Sequence, residues 1–467
     1  MSSSAKQFQS EVFKQQALES SDSHPVFLTL VEINGGHNIL RQFFSKLLSP
    51  LIEKSDYTLD QLVSKVNQSS DFLEKAEIFE KIKPSLHVDY THSFPEMKSY
   101  NKDKPIVTKV VYDLETKELS EGNLALGFNN EDFLTVDLGY INNNFNHNAE
   151  QVNIGVNYQP YKPSERLESI LKLETKLRNP AYKFILDLHN SHQNNQIWQQ
   201  NSSKATGGLI GILFLNRKKG ISVFNGFSLI KRSIDDFSDQ KNDSLLSFIG
   251  ENYKSSMISK ISYDNTVVSN GFLSEGFKFS MNNQISSDQA RESLRDIQIG
   301  FMKTTCSFDW FKSSSNNMFT THFFKEMGAI FSAHPSKLFH VSDKFYLGGF
   351  HSFRGFSRNG VNEHGGTQYY KAGVTVFGHM PNILHPGLNP RNNPMRIYVT
   401  GMAGNVSNSI LKESGVFSLG FGMKYVKQLV ELDVGYYVSR RADFSNTYGV
   451  RDGFKLQMSL GGVGGSS

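Results

Sequence analysis

The acid and imidazole groups best spaced for chemistry lie in LDLHNSH, where Asp187, His189 and His192 offer a carboxylate and two ring nitrogens within six residues. Such a set could hold a metal ion or relay a proton. Its spacing works against both uses, because in a continuing strand His189 and His192 fall on opposite faces. Cys306 is the single cysteine, which excludes an internal disulfide framework and a multi-cysteine metal site. It reads as a packed or lipid-facing thiol. No nucleophile motif, phosphate-binding loop or zinc motif occurs elsewhere. The expectation is a protein that is not an enzyme and uses no cofactor and no metal.

A different charged group stands in FYLGGFHSFRGFSRNGV, residues 345–361, which is too rich in glycine for a helix and too irregular for an ordinary strand. Gly348 and Gly349 permit backbone conformations closed to other residues, and Gly355 lets the chain turn immediately after Arg354. A guanidinium folded into a confined interior needs a partner. Asp433 and Glu431, on the same parity of a late strand, are the available carboxylates. Phe353 and Phe356 flank the arginine, either wedging the segment against a wall or stacking on the guanidinium. The competing reading is a glycine-rich surface loop with a solvated arginine.

The elements that must position these groups fall into two regions. From 25 to 118 the pattern is mixed. VFLTLVEING alternates as a strand. NILRQFFSKLLSPLIEK follows with Asn38 as candidate N-cap and Ile39, Leu40, Phe43, Phe44, Leu47 and Leu48 at helical spacing. A second helix starts at Thr58, with Leu59, Leu62, Val63 and Val66 on one face, and two strands follow, the first carrying Leu86, Val88 and Tyr90. Strand, helix, helix, strand, strand makes a small α+β domain. Residues 1–24 read as a flexible segment with neither a secretory signal nor a mitochondrial presequence.

From 119 to 467 the helical period nearly vanishes. LTVDLGYI, QVNIGVNY, GFKFSM, VFSLGFGMKY and LVELDVGYYV alternate, setting Phe417, Leu419, Phe421 and Met423 against Ser418, Gly420, Gly422 and Lys424. Asn153, Asn157, Asp187, His189, Lys424, Glu431, Asp433 and Lys455 are candidates for one face, while the other is apolar or aromatic. A soluble sandwich also alternates, but a polar inside with a greasy outside is the arrangement of a transmembrane antiparallel barrel. Roughly 340 residues allow about 16 strands. The composition agrees, with 37 Phe, 18 Tyr and 37 Gly among 467 residues. A net charge of +4, dispersed along the chain, gives no case for nucleic acid.

LGGFHSFRGF resembles the sixth-loop motif of the BamA superfamily of barrel-assembly and transport proteins, and is most similar to that of the core subunit of the mitochondrial sorting and assembly machinery (SAM). NNNFNHNAEQV resembles the loop after an early barrel strand. YDNTVVSNGFLSEG is similar to a middle-barrel segment but lacks the family's customary Arg and Pro. SLGFGMKYVKQLVELDVGYYV resembles the penultimate hairpins, with Asp433 where the family usually has Glu. RDGFKLQMSL resembles the closing strand and fits the mitochondrial sorting-signal pattern through Arg451, Gly453, Leu456 and Met458, although GGVGGSS after it departs from the family's abrupt aromatic ending.

The resemblance implies that 25–118 is a single POTRA domain, whereas bacterial members carry several copies and a signal peptide. It implies insertion of β-barrel precursor proteins into the mitochondrial outer membrane, where the chain would be a multi-pass barrel in the lipid bilayer with accessory SAM-complex subunits. Arg354 would lock loop six in the lumen through Asp433, with no bond made or broken. The lateral gate would lie between a first strand at 119–128, bearing Gly122, Leu124, Leu126 and Gly127, and a last strand bearing Gly453, Leu456 and Met458, with Gly461 and Gly462 close by. Glycine weakens strand pairing and suits such a seam. The alternatives are a passive porin or a polypeptide-conducting channel on the same barrel, and a chloroplast-type relative.

Overall fold

The computed structural model describes residues 24–92, 105–131, 133–161, 166–194, 201–236, 249–292, 295–314, 318–332, 339–380, 393–410, 412–427, 429–444 and 446–461. The segment 1–24, save His24, and Gly462 with the residues after it lie outside the described residues. Contacts divide the chain into two units: Met1–Glu121 with Asn142–Val152 and Glu174–Lys183, and Gly122–Ile141 with Asn153–Leu173 and Phe184–Ser467.

The first unit is built on a four-stranded sheet. Its elements are β1 (Pro25–Asn34), α1 (Arg41–Leu47), α2 (Ser49–Ile52), β2 (Asp56–Thr58), α3 (Leu59–Lys75), β3 (Phe79–Val88) and β4 (Ile106–Thr116). Strand order is β2-β1-β4-β3, with β1 and β4 parallel. Leu47, Leu48, Leu51, Leu62, Leu73 and Tyr112 are buried between the helices and the sheet. The longest helix starts at Thr58, as its sequence predicts. The Thr58 side chain accepts from the Gln61 N–H while Gln61 reaches back to the Thr58 N–H, a reciprocal cap.

The preceding helix departs from expectation. It breaks into α1 and α2, with Pro50 in the first turn of the second, because proline cannot donate the bond an unbroken helix needs. Asn38 is not its cap. Leu40 occupies that place with its N–H bonded to the His147 carbonyl, while the Asn38 carbonyl accepts from the Asn144 side chain at 2.8 Å.

The barrel strands are β5 (Ser120–Asn129), β6 (Phe133–Phe145), β7 (Glu150–Tyr158), β8 (Arg166–Lys176), β9 (Tyr182–Asn194), β10 (Asn201–Asn216), β11 (Ile221–Asp236), β12 (Gly250–Asp264), the short β13 (Val267–Ser269), β14 (Phe272–Glu292), β15 (Arg295–Ser313), β16 (Phe319–Ser332), β17 (Gln368–His379), β18 (Met395–Ser407), β19 (Val416–Lys427), β20 (Val430–Arg441) and β21 (Gly453–Leu460). Each pairs with its sequence neighbours, β12 pairs directly with β14 beside the short β13, and β21 returns to β5. The result is a closed antiparallel barrel of 16 strands, which leaves no sheet edge bare.

Alternation sets its two faces. Leu419 and Phe421 are each 62% exposed on the outside, whereas Ser418 between neighbouring turns of the pleat is fully buried on the inside. Hydroxyl pairs such as Thr375 with Thr400 at 2.8 Å and Ser439 with Ser418 at 2.8 Å line the interior. Among the described residues no helix is long and apolar enough to cross a membrane.

Candidate functional site: a lumenal loop and a lateral seam

Residues 339–367, the described part of the connection from β16 to β17, fold back on themselves. Phe345 and Gly366 exchange backbone hydrogen bonds, and the Val361 N–H donates to the Leu347 carbonyl. Gly348, Gly349 and Gly355 have φ of +127°, +95° and +94°. A Cβ on Gly355 would sit 1.7 Å from the Ser439 hydroxyl, so the loop backbone lies directly against β20. Phe353 and Phe356 are fully buried, edge to face at 5.7 Å, and they wedge the loop among Leu347, Val361, Val406 and Val416. They do not stack on the guanidinium. Phe350 does, with its ring 4.4 Å from the Arg354 Cζ.

Arg354 meets Asp433 at 2.9 Å. Its guanidinium also donates to the Tyr437 hydroxyl at 2.7 Å and the Tyr398 hydroxyl at 3.3 Å, and its Nε donates to the Phe350 carbonyl at 3.2 Å. Tyr398 donates to Asp433 at 2.7 Å, so the Tyr398–Tyr437 contact at 2.9 Å has Tyr437 as donor. Each charge is thus bonded several times over, which a pair removed from bulk water requires. The interior beside it is a cavity of about 340 Å³ with Asp309, His322, Lys371 and Lys424 among its lining residues.

Glu431 takes no part in this network. Lys424 stands opposite Asp433 in register, but its ammonium reaches Glu431 at 2.7 Å, which neutralises Glu431 and leaves Asp433 to the arginine.

A second anchor had no sequence signal. Asp343, almost fully buried, bonds Arg232 of β11 at 2.7 Å and Lys254 of β12, and its backbone carbonyl accepts from Lys303 of β15 at 2.7 Å. Arg232 also meets Asp288 of β14 at 2.6 Å. Burial pushes the neighbouring His340 imidazole down to about 3, with Arg232 adding to the shift, so it stays neutral at physiological pH. Burial alone would raise the Asp343 carboxyl, but Arg232 and Lys254 hold it well below the usual carboxylate range. The loop is therefore tied to two stretches of wall with opposite polarity: an acid, Asp343, on a basic cluster near its start and a base, Arg354, on an acidic residue near its middle.

The seam between β5 and β21, where the barrel closes on itself, is short. It contains four residue pairs, Leu126 with Leu460, Gly127 with Ser459, Phe128 with Met458 and Asn129 with Gln457. The β19–β20 ladder contains twelve and β20–β21 eight. Leu126, Gly127 and Met458 thus lie in the seam, and Leu456 borders it with its N–H bonded to the Asn130 side chain at 2.5 Å. Gly122 and Leu124 are on β5 beyond the four pairs, and Gly453 opens β21 opposite Tyr437 with φ +127°. A Cβ on Gly461 would lie 2.1 Å from the Leu124 carbonyl, so this glycine allows the close approach at the seam's end. The predicted first strand, 119–128, is displaced by one residue from β5.

Asp187, His189 and His192 all fall on β9, which continues through them, so the two histidines have opposite parity. Among the described residues no three His, Cys, Asp or Glu side chains cluster as a metal site.

A closed antiparallel barrel of 16 strands preceded in the chain by a small α+β unit is a BamA-type barrel fold. The chain is similar in structure to BamA from Haemophilus ducreyi lacking POTRA domains 1–3, with TM-score 0.72 and 11% identity over 94% of this chain and 85% of that one. CdiB from Acinetobacter baumannii is a further neighbour, with TM-score 0.54 and 12% identity over 94% of this chain and 74% of that one. No protein-family model and no curated protein matches the sequence.

Proposed function

We propose that this protein inserts β-barrel precursor proteins into the mitochondrial outer membrane, acting as the membrane-embedded core of a SAM-type machine with a single POTRA domain, residues 25–118. The observation that carries the reading is the four-pair seam between β5 and β21, in a barrel whose loop six is tied to the lumenal wall at two points.

A precursor strand in hydrocarbon cannot leave its N–H and C=O groups unpaired, since each costs several kcal/mol. It therefore needs a strand edge on which to pair. Separating β21 from β5 offers such an edge, and a client strand entering there replaces the bonds it breaks, by β-augmentation. Opening by exchange is cheap where few bonds are exchanged, and this seam has four residue pairs against eight in the next ladder, β20–β21. Arg354 and Asp343 hold the wall that backs the gate and react with nothing. The client's terminal signal pairs with β5, displacing β21, and the POTRA domain and accessory SAM-complex subunits guide precursors to it. The sorting-signal pattern at Arg451, Gly453, Leu456 and Met458, together with the loop-six resemblance, supports the mitochondrial assignment. The apolar exterior suits a bilayer.

The test is reconstitution into liposomes with an unfolded, radiolabelled barrel precursor. An insertase raises the yield of protease-resistant client above that of protein-free liposomes. A passive or polypeptide-conducting channel gives no increase, and that result would overturn the reading.

A further inference from the structure

The end of β5 and the turn after it contain three consecutive polar residues, each with a separate partner. Asn129 accepts the Glu131 N–H at 2.8 Å and closes the turn. Asn130 accepts from the Leu456 N–H at 2.5 Å and points its amide at the Phe454 carbonyl at 3.5 Å, prolonging the seam beyond its four backbone pairs. Glu131, with its side chain only 12% exposed, has one oxygen 3.3 Å from Lys455 of β21 and the other 2.8 Å from the N–H of Phe350 in loop six. Lys455 is as deeply placed, at 7%.

One carboxylate thus touches the first strand's turn, the last strand and the lumenal loop. The connections close a ring. Asp433 holds Arg354; Arg354 stacks on Phe350 and donates to its carbonyl; Phe350 donates to Glu131; Glu131 pairs with Lys455, which stands beside Gly435 on the strand that carries Asp433.

We infer that Glu131 is a positioning residue that couples the seam to the loop-six lock, so that loosening either loosens the other. The physical reason is that the carboxylate is oriented by both partners together. When β21 departs it takes Lys455 away, leaving a partly buried charge held by a single N–H, and when the loop withdraws the carboxylate loses the bond that aims it at Lys455. Neither contact alone would link the two sites. This inference rests on the reading of β5–β21 as a gate but needs no client, so it is testable apart from insertion.

The experiment measures the rate of disulfide formation between cysteines introduced as Phe128→Cys and Met458→Cys, in a Cys306→Ser background, in the full-length reconstituted protein. With Glu131 present, Arg354→Ala should slow disulfide formation about fivefold. With Glu131→Ala the reaction should already be slow, and adding Arg354→Ala should change it little further. Glu131→Gln, which keeps an acceptor for the Phe350 N–H and removes the ion pair, separates the two contacts and serves if the alanine variant does not fold. It should slow the reaction less than alanine does. Independent, multiplying effects of Arg354→Ala and the Glu131 variants, or no effect of Arg354→Ala on the seam, would overturn the inference.

Discussion

Oxidising a cysteine pair introduced as Phe128→Cys and Met458→Cys, in a Cys306→Ser background, is expected to abolish client-barrel assembly, and reduction to restore it. The two residues face each other in register at the middle of the seam, where side chains of paired strands lie close enough to bridge. Four residue pairs, at about one backbone hydrogen bond each, contribute on the order of 2–6 kcal/mol if each bond is worth about 0.5–1.5 kcal/mol net. A client strand supplying equivalent bonds can compensate that amount, so the unstapled seam exchanges. It cannot compensate a covalent bond. The control is a staple within the β19–β20 ladder, Leu419→Cys with Val438→Cys, also paired and outward facing. Assembly should survive that staple whether oxidised or reduced. Loss in both staples would point to rigidity in general, and survival in both would remove the gate from the account.

Gly355→Ala should have the next largest effect, for reasons that can be separated. The residue has φ +94°, so a Cβ adds strain of roughly 1–2 kcal/mol. The Cβ would also lie 1.7 Å from the Ser439 hydroxyl on a buried stretch of β20, and overpacking of that kind costs typically 1–3 kcal/mol. Ser439 has little freedom to yield, because its hydroxyl donates to Ser418 and its N–H to Asp452. The expected result is a barrel that still folds while loop six withdraws and Arg354 leaves Asp433. Labelling of a cysteine placed as His351→Cys by a membrane-impermeant reagent should then rise several-fold, and client assembly should fall to the level of Arg354→Ala. Adding Ser439→Ala should restore part of the loss, since it removes the 1.7 Å contact while leaving the close approaches to the Ser418 hydroxyl at 2.9 Å and the Ser439 Cβ at 3.0 Å, and the backbone strain. Normal labelling in Gly355→Ala would show that the loop does not depend on this contact.

The sequence carried the fold because its signals are local. Alternation in VFSLGFGMKY and LVELDVGYYV required two faces, and Ser418 and Leu419 occupy them as read. Thr58 announced a helix start, and its partner in the cap, Gln61, lies only three residues on. The first helix was misjudged because the signal at Asn38 competes with partners over a hundred residues away, on Asn144 and His147.

The site divides in the same way. Gly348, Gly349, Gly355 and Arg354 were legible from types and order, and Asp433 from strand parity. Parity alone could not choose between Asp433 and Glu431, because the choice turns on where the Lys424 ammonium goes. Tyr398 and Tyr437 gave no sign of their role, since an inward tyrosine becomes a hydrogen-bonding partner only once register sets it beside the guanidinium. Asp343 and Glu131 were hidden for the same reason: their partners Arg232, Lys254, Phe350 and Lys455 lie 89 to 324 residues away in the chain.

The most direct test of insertion through the seam is a crosslinking scan. A radiolabelled barrel precursor with one cysteine in its terminal strand would be presented to variants of this protein with single cysteines along 119–128, in the Cys306→Ser background. The account predicts disulfides that follow a fixed register along β5 and vanish when the client's terminal signal is altered. Absence of such crosslinks, in a protein shown to be folded and membrane-inserted, would contradict it.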